Sequence, residues 1–468
     1  MRTLERLLFV SLLALLIWLP IPLGSNRSWA WFIAESWIIV QVLGLLAFYK
    51  GRLPWQYLAR FSSLLIPFAI FQCWVFIQTI PLPFAFVEFF SPTATNIYTE
   101  AGSQHAYFSL DSSHTQTALV KGICYCLFLF NSILLVNSSS RLKYAVIALV
   151  ISGTFQAFYA AIVVLLGLEQ SLVFGYPEQG VATGSFVYKN HLANYLMLCL
   201  CMGVGLIITQ LHTSDSGGGI LRVKRLLSGI LSPKMFIRLA IIIMVIALVM
   251  TRSRMGNIAF FFATTTVGLL ALFIYKQKPK ALTALIFSVL AIDTIIVGIL
   301  FGLNEVKQRI VSTSLDAESR DQVITWSLDI IRDFPLTGTG MASFYAVFPG
   351  YSKADVGFYD HAHNEFIQFA VEAGVPATLL LGCAVAFAMY KSLRVQSTRN
   401  SKMMKGVAIG CSMSIVGMLV HISVDFNLQP MANAVTFLFI LFLAHAVSIL
   451  PNERTKVGQK NEFINEQQ

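Results

Sequence analysis

Apolar positions in this chain fall in long unbroken runs, and polar positions gather in the few segments between them. Twelve windows read as apolar stretches: roughly 7–24, 30–49, 62–80, 117–137, 144–167, 191–211, 236–251, 256–275, 282–301, 374–390, 405–422 and 430–450. About 20 apolar residues cross a ~30 Å hydrocarbon layer as a helix. Lipid offers backbone groups no hydrogen-bond partner, so such spans must be helical. The pattern therefore predicts an all-α polytopic membrane protein of about twelve transmembrane helices. The first window starts after Arg2 and Arg6 but is long for a signal segment. It carries Pro20 and Pro22, lacks a small-residue cleavage site, and reads as a retained span.

Three longer polar segments, about 81–116, 168–190 and 302–373, fall on one face, and the last is patterned. Val323, Ile324, Leu328 and Ile331 recur near helical spacing, which predicts an amphipathic helix over about 318–333. Pro335 ends it and Gly338-Thr339-Gly340 makes a turn. A second helix is expected from about His361 to Gly374, with His363, Ile367, Ala370 and Gly374 on one face and the apolar side resting on the bundle. On this reading residues 1–190 hold the first five spans and their outer loops, and 191–301 hold spans six to nine. The large, partly helical loop follows at 302–373, then three spans at 374–450 and a polar tail at 451–468.

The chain carries a formal net charge of +10, which raises nucleic acid as a partner. Placement argues for a bilayer instead. With both termini inside, 23 of the 33 Lys and Arg lie in inner segments. This positive-inside bias fixes orientation, with the large loop outside. A Gly/Ser-rich linker, Ser214 to Gly219, precedes an inner basic cluster, Arg222 to Arg238. All seven cysteines sit in predicted spans without disulfide or zinc-type spacing.

Candidate chemistry concentrates at the outer face. Asp360-His361-Ala362-His363-Asn364-Glu365-Phe366 closes the large loop where it re-enters the bilayer. Its histidines, Asp360 and Asn364 suit proton transfer. A metal held by Asp360, His361 and His363 is disfavoured, because there is neither HExxH spacing nor a cysteine partner. Thr251-Arg252-Ser253-Arg254-Met255-Gly256 separates two spans; its arginines either reach the headgroups or hold an anion inside the bundle. Arg320 opens the loop helix, as a solvated charge paired with Glu318 or Asp321 or as an anion ligand. Lys189-Asn190-His191 leads a loop into a span, as interfacial anchors or as site residues. Asp425 follows His421 in the last outer turn.

Together and in this order, these clusters resemble the O-antigen ligase and polymerase family of bacterial inner-membrane glycosyltransferases. His363-Asn364, nine residues and Gly374 are similar to the ligase motif, whose final glycine is replaced here by Ala377. Ser253-Arg254 looks like the family's Ser-Arg pair. Arg320 with Trp326, Pro335 and Gly338-x-Gly340 looks like its arginine-bearing loop helix, and Lys189 to Ala193 like its Asn-rich span entry. The resemblance covers roughly 180–430. It implies a GT-C-like helical bundle and transfer of a glycan from undecaprenyl pyrophosphate to a hydroxyl of lipid A–core oligosaccharide at the periplasmic face. His363 would be the base, and Arg254 and Arg320 would bind the pyrophosphate. His361, Asn364, Lys189, Asn190 and Asp425 would support them. Transfer would be inverting, with no metal or cofactor. A polymerase of lipid-linked repeats, a protein O-oligosaccharyltransferase and, in another class, a polysaccharide-lipid flippase are the rivals. Charge concentrated in outer loops, rather than deep in spans, favours an enzyme.

Overall fold

The computed structural model describes residues 2–177, 180–210, 233–275, 283, 287–288 and 315–451. Most of the predicted span at 282–301, the linker Ser214 to Gly219, most of the basic cluster, the start of the large loop and the tail from Asn452 lie outside the described residues.

The helices, in chain order, are α1 (Arg2–Trp18), α2 (Ser28–Tyr49), α3 (Trp55–Ala59), α4 (Ser62–Thr79), α5 (Phe84–Phe90), α6 (Pro92–Glu100), α7 (Ser112–Leu135), α8 (Ser139–Leu165) and α9 (Lys189–Gln210). They continue as α10 (Pro233–Met250), α11 (Arg254–Ile274), α12 (Leu315–Asp333), α13 (Phe344–Val347), α14 (Glu365–Ala373), α15 (Val375–Thr398), α16 (Lys402–Ile422) and α17 (Met431–Ile449). Among the described residues the only strand-like pairings are two isolated bridges, Leu82 with Ala106 and Gln170 with Pro177. Nine of these helices, α2, α4, α7, α8, α9, α11, α15, α16 and α17, are long and apolar enough to cross a membrane. The shorter apolar α1 and α10 occupy two more of the predicted windows.

The bundle is organised around α9, α16 and α17, whose side chains are almost entirely buried, while α2 and α15 expose apolar faces. Helices α9 and α16 cross with their backbones nearly touching. A Cβ at Gly205 would stand 2.6 Å from the Gly406 carbonyl, and one at Gly410 2.9 Å from that of Cys201. Small residues at four-residue spacing on both helices permit this approach, which supplies packing where lipid gives no hydrophobic drive. The crossing brings the start of α9 alongside the end of α16. There the Asn194 amide lies 3.3 Å from the His421 ring.

At this end of the bundle two of the long loops share a second apolar core. Phe108, Val87 and Ala94 from the first loop pack with Val323, Trp326, Ile330, Phe334, Phe344 and Phe348 from the large loop. Polar staples tie this cap to the spans beneath. The buried Gln78 amide at the end of α4 donates to the carbonyls of Thr337 (2.8 Å) and Glu372 (2.9 Å), and Trp74 donates to that of Ala373 (2.8 Å).

Two expectations need correction. On α12 and the residue that follows it the buried stripe is Val323, Trp326, Ser327, Ile330 and Phe334, rotated from the expected one, and Leu328 is 42% exposed. Trp326 and Phe334 decide the matter, since burying two aromatic rings outweighs burying Leu328. The second loop helix begins at Glu365, not near His361. Asn364 caps it by accepting from the Phe366 and Ile367 amides, so both histidines sit on the preceding turn. Its apolar side rests on the bundle in part: Ala373 and Phe369 pack against Phe71 of α4, Val371 and Ile367 join the cap core, and Glu365, Gln368 and Glu372 are buried as well.

Candidate active site

The site is a meeting of two turns, His361 to Asn364 before α14 and Ser423 to Pro430 between α16 and α17. His363 takes a left-handed backbone conformation (φ 51°), which asparagine, aspartate and histidine adopt more readily than most residues. That conformation aims its Nδ1 at Asp425, with Nδ1 3.7 Å from Oδ1. The separation exceeds hydrogen-bond range, and Nδ1 is buried without a hydrogen-bond partner among the described residues.

Asp425 itself is firmly held. Asn190 donates to its Oδ2 at 2.5 Å and the Phe426 amide to its Oδ1 at 3.0 Å. Burial pushes its carboxyl up, but the facing His363 ring and other neighbours outweigh burial and leave it below the ordinary value. The Asn190 amide also donates to the Tyr188 hydroxyl at 2.9 Å, and the Arg320 guanidinium reaches that same hydroxyl. Burial and the Asp425 charge raise the Tyr188 phenol above its ordinary value. A continuous chain of polar contacts thus runs from His363 through Asp425, Asn190 and Tyr188 to Arg320.

Phe426 is the apolar counterpart of this chain. Its ring stacks on His361 (centroids 4.6 Å apart) and on Tyr188 (5.7 Å), and meets the edges of His363 (4.7 Å) and His191 (5.2 Å). Glu365 latches the two turns together: it accepts from the Leu428 amide at 2.8 Å and the Gln429 amide group at 3.4 Å. Burial raises Glu365 to about 8 and Glu372 to about 7. Glu372 accepts from Gln368 at 3.1 Å and from the Phe344 amide at 3.4 Å. Gly338 and Gly374 seat α14 on the preceding loop. Both have positive φ (64° and 82°), and a Cβ on either would overlap backbone of the other segment.

Of the residues singled out from the sequence, His361, His363, Asn364, Asn190, Asp425 and Arg320 come together. Arg254 does not join their chain of polar contacts. It is exposed, with no ion pair among the described residues, in the first turn of α11, whose cap is Ser253. The neighbouring Gly256 lies against Ala193 and His421, so this turn flanks the same end of the bundle. Lys189 is half-buried at the first position of α9, and its ammonium makes no hydrogen bond or ion pair among the described residues. Sequence reasoning missed Tyr188, Phe426, Glu365, Gln368 and Glu372. Phe426 had one available signal, its place directly after Asp425. No His, Cys, Asp and Glu grouping among the described residues is arranged to hold a metal.

A buried carboxylate behind a partly exposed imidazole, with a guanidinium nearby, can take a proton from a hydroxyl and bind an anion. Together with many membrane-length helices, that is the equipment of a membrane-embedded group-transfer enzyme. Residues 239–382, from α10 into α15, match the family model described as O-antigen ligase. No curated protein matches the chain. Arg254, Arg320, His361 and His363 fall within the matched segment; Tyr188, Asn190 and Asp425 lie outside it.

Proposed function

We propose that the protein is a ligase-type glycosyltransferase that moves a glycan from undecaprenyl pyrophosphate to a hydroxyl of lipid A–core oligosaccharide. It would act at the periplasmic face of the bacterial inner membrane, with both termini cytoplasmic. The observation that carries this reading is the His363–Asp425 pair at 3.7 Å, joined through Asn190 and Tyr188 to Arg320.

With its Nδ1 directed at Asp425, His363 leaves Nε2 as the nitrogen that removes the acceptor's hydroxyl proton. General-base help of this kind is typically worth ~10²–10⁴ in rate. The freed oxygen attacks the anomeric carbon opposite the pyrophosphate, the carbon–oxygen bond to phosphate breaks, and configuration inverts. His363 becomes an imidazolium, which Asp425 stabilises; closing their gap by under an ångström on substrate binding would complete the hydrogen bond. Undecaprenyl pyrophosphate departs with its charge met by Arg320, and by Arg254 once the glycan-lipid is bound. A guanidinium suits phosphate oxygens because its donors form a planar fork. The arginines supply the electrostatic stabilisation, so the proposed chemistry calls on no metal or cofactor. The exposed apolar faces of the spans offer the polyprenyl chain a path in the bilayer.

A deletion strain tests this assignment. Loss of a ligase leaves long lipid-linked polymer that is not attached to core, and that is the expected result. Single repeat units on core would mean a polymerase instead, and an unchanged surface polysaccharide would overturn both.

A further inference from the structure

The two histidines of the site are held in opposite valence, and the partner that fixes His361 lies on the buried face of α14. Gln368 is 3% exposed, and its Oε1 accepts from the Ala362 amide at 3.2 Å. A backbone N–H can only donate, so this contact settles which end of the side-chain amide is oxygen. The other end, Nε2, must then carry the protons. It lies 3.0 Å from His361 Nδ1 and 3.1 Å from Glu372 Oε1. Glu372 is fixed in turn by the Phe344 amide. Nδ1 of His361 is therefore an acceptor, and a neutral ring carries its hydrogen on Nε2. Burial favours that neutral form. The ring cannot rotate freely, because Phe426 stacks on it at 4.6 Å.

His361 Nε2 has no partner in hydrogen-bond range among the described residues. The Asp360 carboxylate is 3.9 Å away, and the side chain is 22% exposed. His363, two residues on, shows Nδ1 to Asp425 and so offers the lone pair of Nε2. One ring is built to accept a proton, the other to donate a hydrogen bond.

We infer that His361 is a ligand-binding donor, its neutral Nε2–H tautomer set by the Gln368–Glu372 pair, that holds an oxygen atom of a substrate beside the His363 base. The chemistry it recognises is an oxygen lone pair, from either the pyrophosphate of the glycan donor or a hydroxyl of the sugar acceptor. This inference rests on the proposed transfer reaction for the identity of the ligand, but the tautomer does not depend on it.

The test is ¹⁵N-histidine magnetic resonance on the full chain in lipid nanodiscs, with the His361 signals assigned by their loss in His361→Gln. The expected result is a protonated Nε2 and a bare Nδ1 at neutral pH. A proton on Nδ1, or a doubly protonated ring, would overturn the inference whether or not the protein transfers glycan. Titration with inorganic pyrophosphate should shift the Nε2 signal if the ligand is the donor. A shift with a purified core oligosaccharide instead would assign the acceptor, and no shift with either would overturn the ligand role. In transfer assays His361→Ala should raise the KM of the substrate so identified by about 10-fold, the scale of a hydrogen bond to a charged or buried oxygen. His361→Gln, which keeps an N–H near the Nε2 position, should recover most of that loss; equal losses in the two variants would indicate a packing role only.

Discussion

Asp425 stands 3.7 Å from the Nδ1 of His363 across two turns that are 62 residues apart in sequence, and it does so with its other oxygen already bound by Asn190. A carboxylate held in this way cannot swing toward solvent. Its orientation toward the imidazole is built in before any substrate arrives.

Replacing Asp425 by Asn keeps the size of the side chain but removes the charge that would stabilise the imidazolium. Turnover should fall about 10²-fold or more while the KM for either substrate changes little. Steady-state assays with purified protein and lipid-linked glycan check this. A loss confined to KM would remove Asp425 from the proton-transfer step.

Arg320 and Arg254 are distinguishable. Arg320 already touches the Tyr188–Asn190–Asp425 chain, so Arg320→Lys should raise the KM of the pyrophosphate donor roughly 10-fold and also lower turnover, since a point charge replaces a planar fork. Arg254→Lys, at an exposed helix start, should affect donor KM alone. Equal, small effects of both substitutions on KM and turnover would dissolve the shared anion site.

Glu365 gives a pH signature. Burial raises its folded-state value to about 8 from an ordinary value of 4.5, so between these pH values the folded state binds more protons than the unfolded. Stability from this group is full below about 4.5 and is lost as pH rises through about 8, with a slope of at most about 1.4 kcal/mol per pH unit. Thermal unfolding in detergent should therefore weaken from pH 5 to pH 9 in the wild type and be flatter in Glu365→Gln. Parallel pH curves for the two proteins would contradict the assignment.

Gly374 is required for its backbone. With φ at 82° and the Leu336 carbonyl in the place a Cβ would take, Gly374→Ala must displace the end of α14 from the 336–338 loop. A destabilisation of about 1–3 kcal/mol is expected, on the scale of a strained backbone position. Thermal unfolding would show it, and an unchanged midpoint would mean that the loop yields at no cost.

The sequence reveals unequal parts of this arrangement, for physical reasons. Spans are legible because a bilayer demands continuous apolar helix, and eleven of the twelve predicted windows coincide with described helices. His363, Asn190 and Asp425 are legible as polar groups at membrane edges. Glu365, Gln368 and Glu372 are not, because three polar residues on one face of a short helix look solvated until the backbone amides that bind them are known. The start of α14 was misplaced for a related reason. Asn364 looked like a motif residue, but its side chain caps the helix and so releases both histidines onto the turn. Phe426 escaped notice because an aromatic at a membrane edge is an ordinary interfacial anchor. Its role depends on rings from two other segments, Tyr188 with His191 and His361 with His363.

The central claim is that His363 is the base of glycan transfer, and the direct measurement is the surface polysaccharide of a deletion strain complemented with His363→Ala. The protein should reach the membrane at wild-type levels, core-attached glycan should vanish from the gel, and lipid-linked polymer should accumulate. Normal amounts of core-attached glycan in that strain would contradict the account.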